Sequence, residues 1–129
     1  MAAKMIHSMI RVLDDERSIK FYEEVLELKV IRRLDFESFS LIYLSNQETA
    51  FELELTYNHG VEQPYELGTA YGHLAVSVED LEATHVKLSR MGYEPLAIKS
   101  LDPKSARFFF IQDPDGYKIE FLERVGEYK

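Results

Sequence analysis

Two histidines and two glutamates stand at matching places in this chain. His7 and His73 are 66 residues apart (73 less 7), and so are Glu54 and Glu120 (120 less 54). Neutral imidazole and carboxylate hold divalent metals of borderline hardness, with water completing the coordination shell. The expected ligand set is His7, Glu54, His73 and Glu120. Sulfur-free ligands of this kind suit nickel, cobalt, zinc, manganese and iron, and ligand type alone does not choose among them. A metal so held can bind the oxygens of a substrate and stabilise an enediolate, worth several kcal/mol of transition-state charge. A carboxylate at its edge could take a proton from carbon next to a carbonyl, which typically adds a factor of about 10² to 10⁴ in rate. Glu54 and Glu120 are both candidates for that base.

Each of these residues alone has a blander reading. A single strand histidine is more often hydrogen-bonded or exposed than a ligand, and a single outward glutamate is usually solvated. The shared offset reverses that preference. It also carries Val12 onto Val78, Asp14 onto Asp80, Glu16 onto Glu82, Phe51 onto Tyr117, Leu53 onto Ile119 and Leu55 onto Phe121. A period this long, met only twice, fits two paired modules, about 5–58 and 71–124, better than a solenoid array. Glu52 shares a strand face with Glu54 two residues away, and only the repeat singles out Glu54. His59 and His85 have no repeat partner of their own type and read as structural or solvent-facing.

The elements that must position these side chains follow from periodicity. Ile6, Ile10 and Val12 fall on one side of a strand and His7, Met9 and Arg11 on the other. Asp14 and Asp15 supply an N-cap for a helix with Ile19, Tyr22, Val25 and Leu26 at core spacing. Strands are expected over 29–33, 38–44 and 50–57, the last with Phe51, Leu53 and Leu55 inward and Glu52, Glu54 and Thr56 outward. A connection rich in turn residues covers 58–68. The pattern then returns: a strand over 71–78 with His73, Ala75 and Ser77 on one face, a helix capped by Glu79 and Asp80 with Leu81, Leu88 and Met91 at core spacing, a stop at Gly92, and strands over 93–98, 106–112 and 117–123. An Asp113-Pro114-Asp115-Gly116 turn joins the last two and leaves Glu120 on the polar face. The order βαβββ is expected twice, an α+β fold with paired modules forming a curved mixed sheet.

Composition sets the outer limits. At 129 residues, 46% of them hydrophobic, the chain fits a single domain with a real core. The net charge of -8 disfavours a nucleic-acid partner. There is no apolar run near a membrane span, and residues 1–4 lack a signal-peptide pattern, so a cytoplasmic protein with no membrane partner is expected. The absence of cysteine removes disulfides, Cys-ligated zinc and thiol nucleophiles. The 8 Tyr and 8 Phe fall mostly at core-facing positions or near turns, where burial accounts for them.

Nearly end to end, the sequence resembles the glyoxalase I family of the vicinal oxygen chelate superfamily. The resemblance is carried by His7-Ser8-Met9-Ile10-Arg11-Val12, Arg17-Ser18-Ile19-Lys20-Phe21-Tyr22, Glu54-Leu55-Thr56-Tyr57-Asn58, Gly68-Thr69-Ala70-Tyr71-Gly72-His73 and the stretch from Asp113 to Glu120. It implies a homodimer with sites built between subunits. His7, Glu54, His73 and Glu120 match the metal ligands, Glu120 the base, and Arg11 and Asn58 the residues that hold the glutamyl end of glutathione. The implied substrate is the methylglyoxal–glutathione hemithioacetal, isomerised through an enediolate to S-lactoylglutathione. The compact length is similar to the bacterial type that prefers nickel or cobalt over zinc.

Three features depart from the family pattern: Leu26-Glu27 replaces the usual Leu-Gly after the first helix, 35–40 is short, and 101–107 lacks a glycine-rich loop. Lys99, Lys104 and Arg107 offer charges that could bind a glycyl carboxylate, but the expected reading is a solvated basic loop. Two other classes compete. An epimerase, thiol transferase or extradiol dioxygenase would keep the fold, although a dioxygenase leaves Glu54 without a purpose. A metal-free binding protein of the same fold has no need of four ligands.

Overall fold

The computed structural model describes residues 1–128. They divide into two compact units, one over Met1–Glu66 and one from Leu67 onward.

In the first unit the order is β1 (His7–Val12), α1 (Asp15–Val25), β2 (Lys29–Asp35), β3 (Phe39–Asn46) and β4 (Thr49–Asn58). The strands form one mixed sheet in the order β1-β4-β3-β2, with β1 parallel to β4 and the other pairs antiparallel. Alternation works as the sequence implies: Ile10 and Val12 of β1, Ile42 and Leu44 of β3, and Leu53 and Leu55 of β4 are buried. Ile6 precedes the strand and is exposed. The Asp14 carboxylate caps α1 by accepting from the Arg17 N–H at 3.1 Å. The helix buries Ser18, Phe21, Tyr22 and Val25, a face at i, i+3, i+4 and i+7. The expected Ile19 and Leu26 lie at its margin, only half-buried. Glu27 stops the helix in the left-handed region at φ 54°, while the Leu28 N–H reaches back to the Tyr22 carbonyl at 3.1 Å.

The second unit holds β5 (Leu74–Val78), α2 (Leu81–Arg90), β6 (Phe108–Gln112), β7 (Lys118–Glu123) and a single 3-10 turn at Gly126–Tyr128. Its sheet has the order β5-β7-β6, again with a parallel pair, β5 and β7. Asp80 caps α2 through the Ala83 N–H at 2.9 Å, and Gly92 beyond its end sits at φ 92°. Leu81 and Leu88 are buried as expected, whereas Met91 at the C-cap is exposed.

Two expected strands differ. The stretch 93–98 does not form a strand, so this unit reads βαββ where βαβββ was expected. Pro95 has no N–H to give a ladder. Leu96 and Lys99 donate to the carbonyls of Phe110 and Phe108, both at 2.8 Å. Four residues, 96–99, then face three, 108–110, an irregularity that breaks regular pairing. The strand expected from residue 71 begins only at Leu74, which leaves His73 one residue before it. Tyr71 is instead fixed by its hydroxyl, which donates to the Lys118 carbonyl at 3.2 Å, and by its ring against Tyr117.

Candidate metal centre

In the first unit, parallel pairing sets Met9 beside Glu54 and so brings His7, one pleat back, to the same face. His7 Nε2 lies 3.0 Å from Glu54 Oε1. The other oxygen of Glu54 is also engaged: Tyr43, directly opposite on β3, donates its hydroxyl to Glu54 Oε2 at 3.1 Å. Glu54 is 8% exposed, so the carboxylate expected on the outward face of its strand is buried. A buried carboxylate is stable only when paired and hydrogen-bonded, and His7 and Tyr43 fill that need. Burial first, then the Glu54 carboxylate, raise the Tyr43 hydroxyl pKa and keep it a proton donor. The Arg32 guanidinium lies over the Tyr43 ring, 4.1 Å from its centroid, and donates to Glu52 Oε1 at 3.0 Å. Glu52, the near competitor of Glu54, is thereby tied to an arginine and not to a histidine.

In the second unit, the Asp-Pro-Asp-Gly turn does the positioning. Asp113 Oδ1 accepts from the N–H groups of Asp115 and Tyr117, both at 2.9 Å, and Gly116 takes φ 93°. That closure fixes the pairs Gln112 with Lys118 and Phe110 with Glu120. Parallel pairing then sets Ala75 beside Glu120, the register of Met9 and Glu54 displaced by 66. His73 Nε2 lies 3.2 Å from Glu120 Oε1.

Each unit therefore brings one imidazole nitrogen against one carboxylate oxygen. Among the described residues no third His, Asp or Glu joins either pair as a metal-holding group. Two donor atoms bound at ~2.1 Å and at a right angle on one metal would lie ~3.0 Å apart, so both separations fit a divalent ion as well as a His–carboxylate hydrogen bond.

Arg11 and Asn58 lie on the faces of His7 and Glu54, each four residues further along its strand, or ~13 Å in extended chain. Asn58 Nδ2 donates to the Tyr65 hydroxyl at 3.1 Å. His59 Nε2 is 2.9 Å from Ser40 Oγ and its Nδ1 is 3.1 Å from the Glu37 carbonyl, while His85 Nε2 is 3.0 Å from the Leu96 carbonyl. Both are structural, as expected. Arg107, expected in a solvated loop, is instead held by Glu123 at 2.9 Å and by Glu82 at 2.6 Å. Tyr43 and Arg32 were missed by sequence reasoning. Their signal is faint: Tyr43 sits between Ile42 and Leu44 in an apolar run where one more aromatic looks like core.

Mixed sheets with a His–Glu pair at one register in each unit define a class of α+β proteins built from two repeated units. The sequence model of the Glyoxalase/Bleomycin resistance protein/Dioxygenase superfamily matches residues 4–121, and the chain belongs to that superfamily. It is 42% identical over 127 residues to a lactoylglutathione lyase of Haemophilus influenzae, covering 93% of this chain and 92% of that protein. Among solved structures it is similar to glyoxalase I of Zea mays (TM-score 0.85, 33% identity, 95% of this chain but 45% of the maize chain). It is also similar to the trypanothione-dependent glyoxalase I of Leishmania major (TM-score 0.78, 39% identity, 95% of this chain and 87% of that one). The α+β fold expected from the sequence is the fold of these proteins.

Proposed function

We infer that this chain is a lactoylglutathione lyase, isomerising the hemithioacetal of methylglyoxal and glutathione to S-lactoylglutathione. The observation that carries this reading is the His–Glu pair found at the same register in both units. The near full-length likeness to the Haemophilus influenzae lyase supports it.

The ligand set we assign is His7, Glu54, His73 and Glu120. Their nitrogen and oxygen donors suit one divalent ion per site, with nickel or cobalt favoured by likeness to the compact bacterial type and zinc accommodated. When bound, such an ion polarises the substrate oxygens and stabilises the charge of the enediolate. Glu120 removes the proton from the carbon bearing sulfur and hydroxyl and returns it to the neighbouring carbonyl carbon, while the hydroxyl proton passes to the former carbonyl oxygen, so two protons relocate and no external oxidant or reductant is needed. Arg11 and Asn58 hold the glutamyl end of the thiol. Their place ~13 Å along the strands from His7 and Glu54 suits a long, extended ligand. The protein is expected to act as a cytoplasmic homodimer. No helix among the described residues is long and apolar enough to cross a membrane.

The test is metal analysis of the purified protein, followed by assay of the hemithioacetal after chelation and separate return of nickel, cobalt and zinc. Turnover restored by nickel or cobalt is the expected result, and no turnover with any metal overturns the assignment. Because the Leishmania major relative is trypanothione-dependent, the trypanothione hemithioacetal belongs in the same assay.

A further inference from the structure

The two carboxylates assigned to the metal have unlike surroundings. Across the strand from Glu54 stands Tyr43, and across from Glu120 stands Phe110. The two aromatic rings occupy equivalent positions. Tyr43 meets the His7 ring edge-on at 6.1 Å and 82°, and Phe110 meets the His73 ring edge-on at 5.3 Å and 87°. They differ by one hydroxyl. That hydroxyl occupies Glu54 Oε2 while His7 occupies Oε1, so neither oxygen of Glu54 is available to move. Arg32 packed on the ring, and itself held by Glu52, fixes the plane from which the hydroxyl donates. Phe110 can donate nothing. Among the described residues the Glu120 side chain has one polar neighbour, His73. Glu120 is also the more exposed, with 17% of its side chain accessible against 10% for Glu54.

We propose that Tyr43 is a positioning residue that clamps Glu54 as a permanent, single-oxygen metal ligand, and that Phe110 leaves Glu120 unclamped, so that Glu120 alone can exchange metal binding for proton transfer. The proposal rests on the lyase reading for its last clause only; the clamp itself concerns metal binding. Hydrogen bonds to a metal's ligands orient those ligands, and their loss typically costs about 10- to 100-fold in metal affinity or activity.

The experiment compares Tyr43→Phe, Phe110→Tyr and the double exchange with the wild type. Apparent metal Kd is measured by titrating the stripped protein with cobalt(II) against a chromophoric chelator, together with the visible cobalt spectrum and kcat at saturating metal. Circular dichroism confirms folding. Tyr43→Phe is expected to weaken cobalt binding about 10- to 100-fold and to alter the spectrum. Phe110→Tyr is expected to leave Kd no weaker and to lower kcat by a similar factor, because the new hydroxyl clamps the moving carboxylate. The double exchange should combine weak binding with low kcat. Values within twofold of wild type for Kd in Tyr43→Phe and kcat in Phe110→Tyr overturn the proposal, as does the reverse assignment of the two effects. If the wild type fails to turn over the hemithioacetal, the lyase reading falls, and the cobalt titration, which needs no substrate, still decides the clamp.

Discussion

The two units share a register and differ in what surrounds it. Helix caps at Asp14 and Asp80, parallel strand pairs and a His–Glu pair recur 66 residues apart. The first unit surrounds its glutamate with Tyr43, Arg32 and Glu52; the second leaves its glutamate against the apolar ring of Phe110. The edges differ as well, a full strand β2 in one and an irregular, Pro-containing segment in the other. The backbone that places each glutamate is repeated, and the side chains around it are not.

The sharpest test of that difference substitutes each glutamate by its amide. Glu120→Gln keeps the shape but removes the proposed base, and turnover of the hemithioacetal should fall by about 10² to 10⁴. Glu54→Gln should act mainly on metal content, measured by elemental analysis of the purified variant, with a smaller loss of kcat when metal is saturating. Equal losses of kcat at saturating metal would erase the distinction between the units.

Much of this frame was legible in the sequence because it rests on local signals. Caps, strand alternation and the Asp-Pro-Asp-Gly turn are set by residues close in the chain, and the offset of 66 singled out His7, Glu54, His73 and Glu120 without any knowledge of contacts. The clamp was not legible. Whether residue 43 faces residue 54 depends on the β3–β4 register, and that register shifts at an irregularity between Leu44 and Asn46, where the Ser45 hydroxyl lies 2.9 Å from the Phe51 carbonyl. A register so set cannot be counted back from the turn. The burial of Glu54 has the same origin: alternation places a side chain on a face, but only the cross-strand neighbour decides how covered that face is. Pro95 lies inside the strand expected over 93–98, and a regular ladder excludes proline there.

The helix ends provide a smaller comparison. After α2 the left-handed position is Gly92, where glycine adopts φ 92° freely; after α1 the chain sets Glu27 at φ 54°. A side chain there costs roughly 1–2 kcal/mol, part of which glycine returns through the freedom it gains in the unfolded chain. Glu27→Gly should therefore stabilise the protein by about 1 kcal/mol, seen as a rise of a few degrees in Tm. No change would mean that the contacts of Glu27 already offset the strain.

Carboxylates outside the metal centre should dominate the response to acid. In the second unit the Arg107 side chain and backbone N–H hold the Glu123 carboxyl below its usual range. With its folded value depressed, the pair contributes stability above the unfolded pKa of about 4.3 and loses it as pH falls through the lower folded value. Glu123→Gln should accordingly flatten the decline of Tm with pH below about 4.3 while leaving the metal titration unchanged. In the first unit Asp35 is depressed in the same sense, by the Ser40 hydroxyl and then by Arg33, so some acid sensitivity should remain in that variant.

The smallest expected effect is the most discriminating for the choice of ligand. Glu52 shares the strand face of Glu54, yet the side chain it meets is the Arg32 guanidinium, from which an amide oxygen would still accept. Exposed ion pairs contribute little, commonly below about 1 kcal/mol, so Glu52→Gln should change metal content and turnover by less than about threefold. If instead Glu52→Gln loses the metal and Glu54→Gln retains it, the ligand of the first unit is Glu52. The burial of Glu54 between His7 and Tyr43 would then be a structural pairing, and the contrast with Glu120 would lose its chemical meaning.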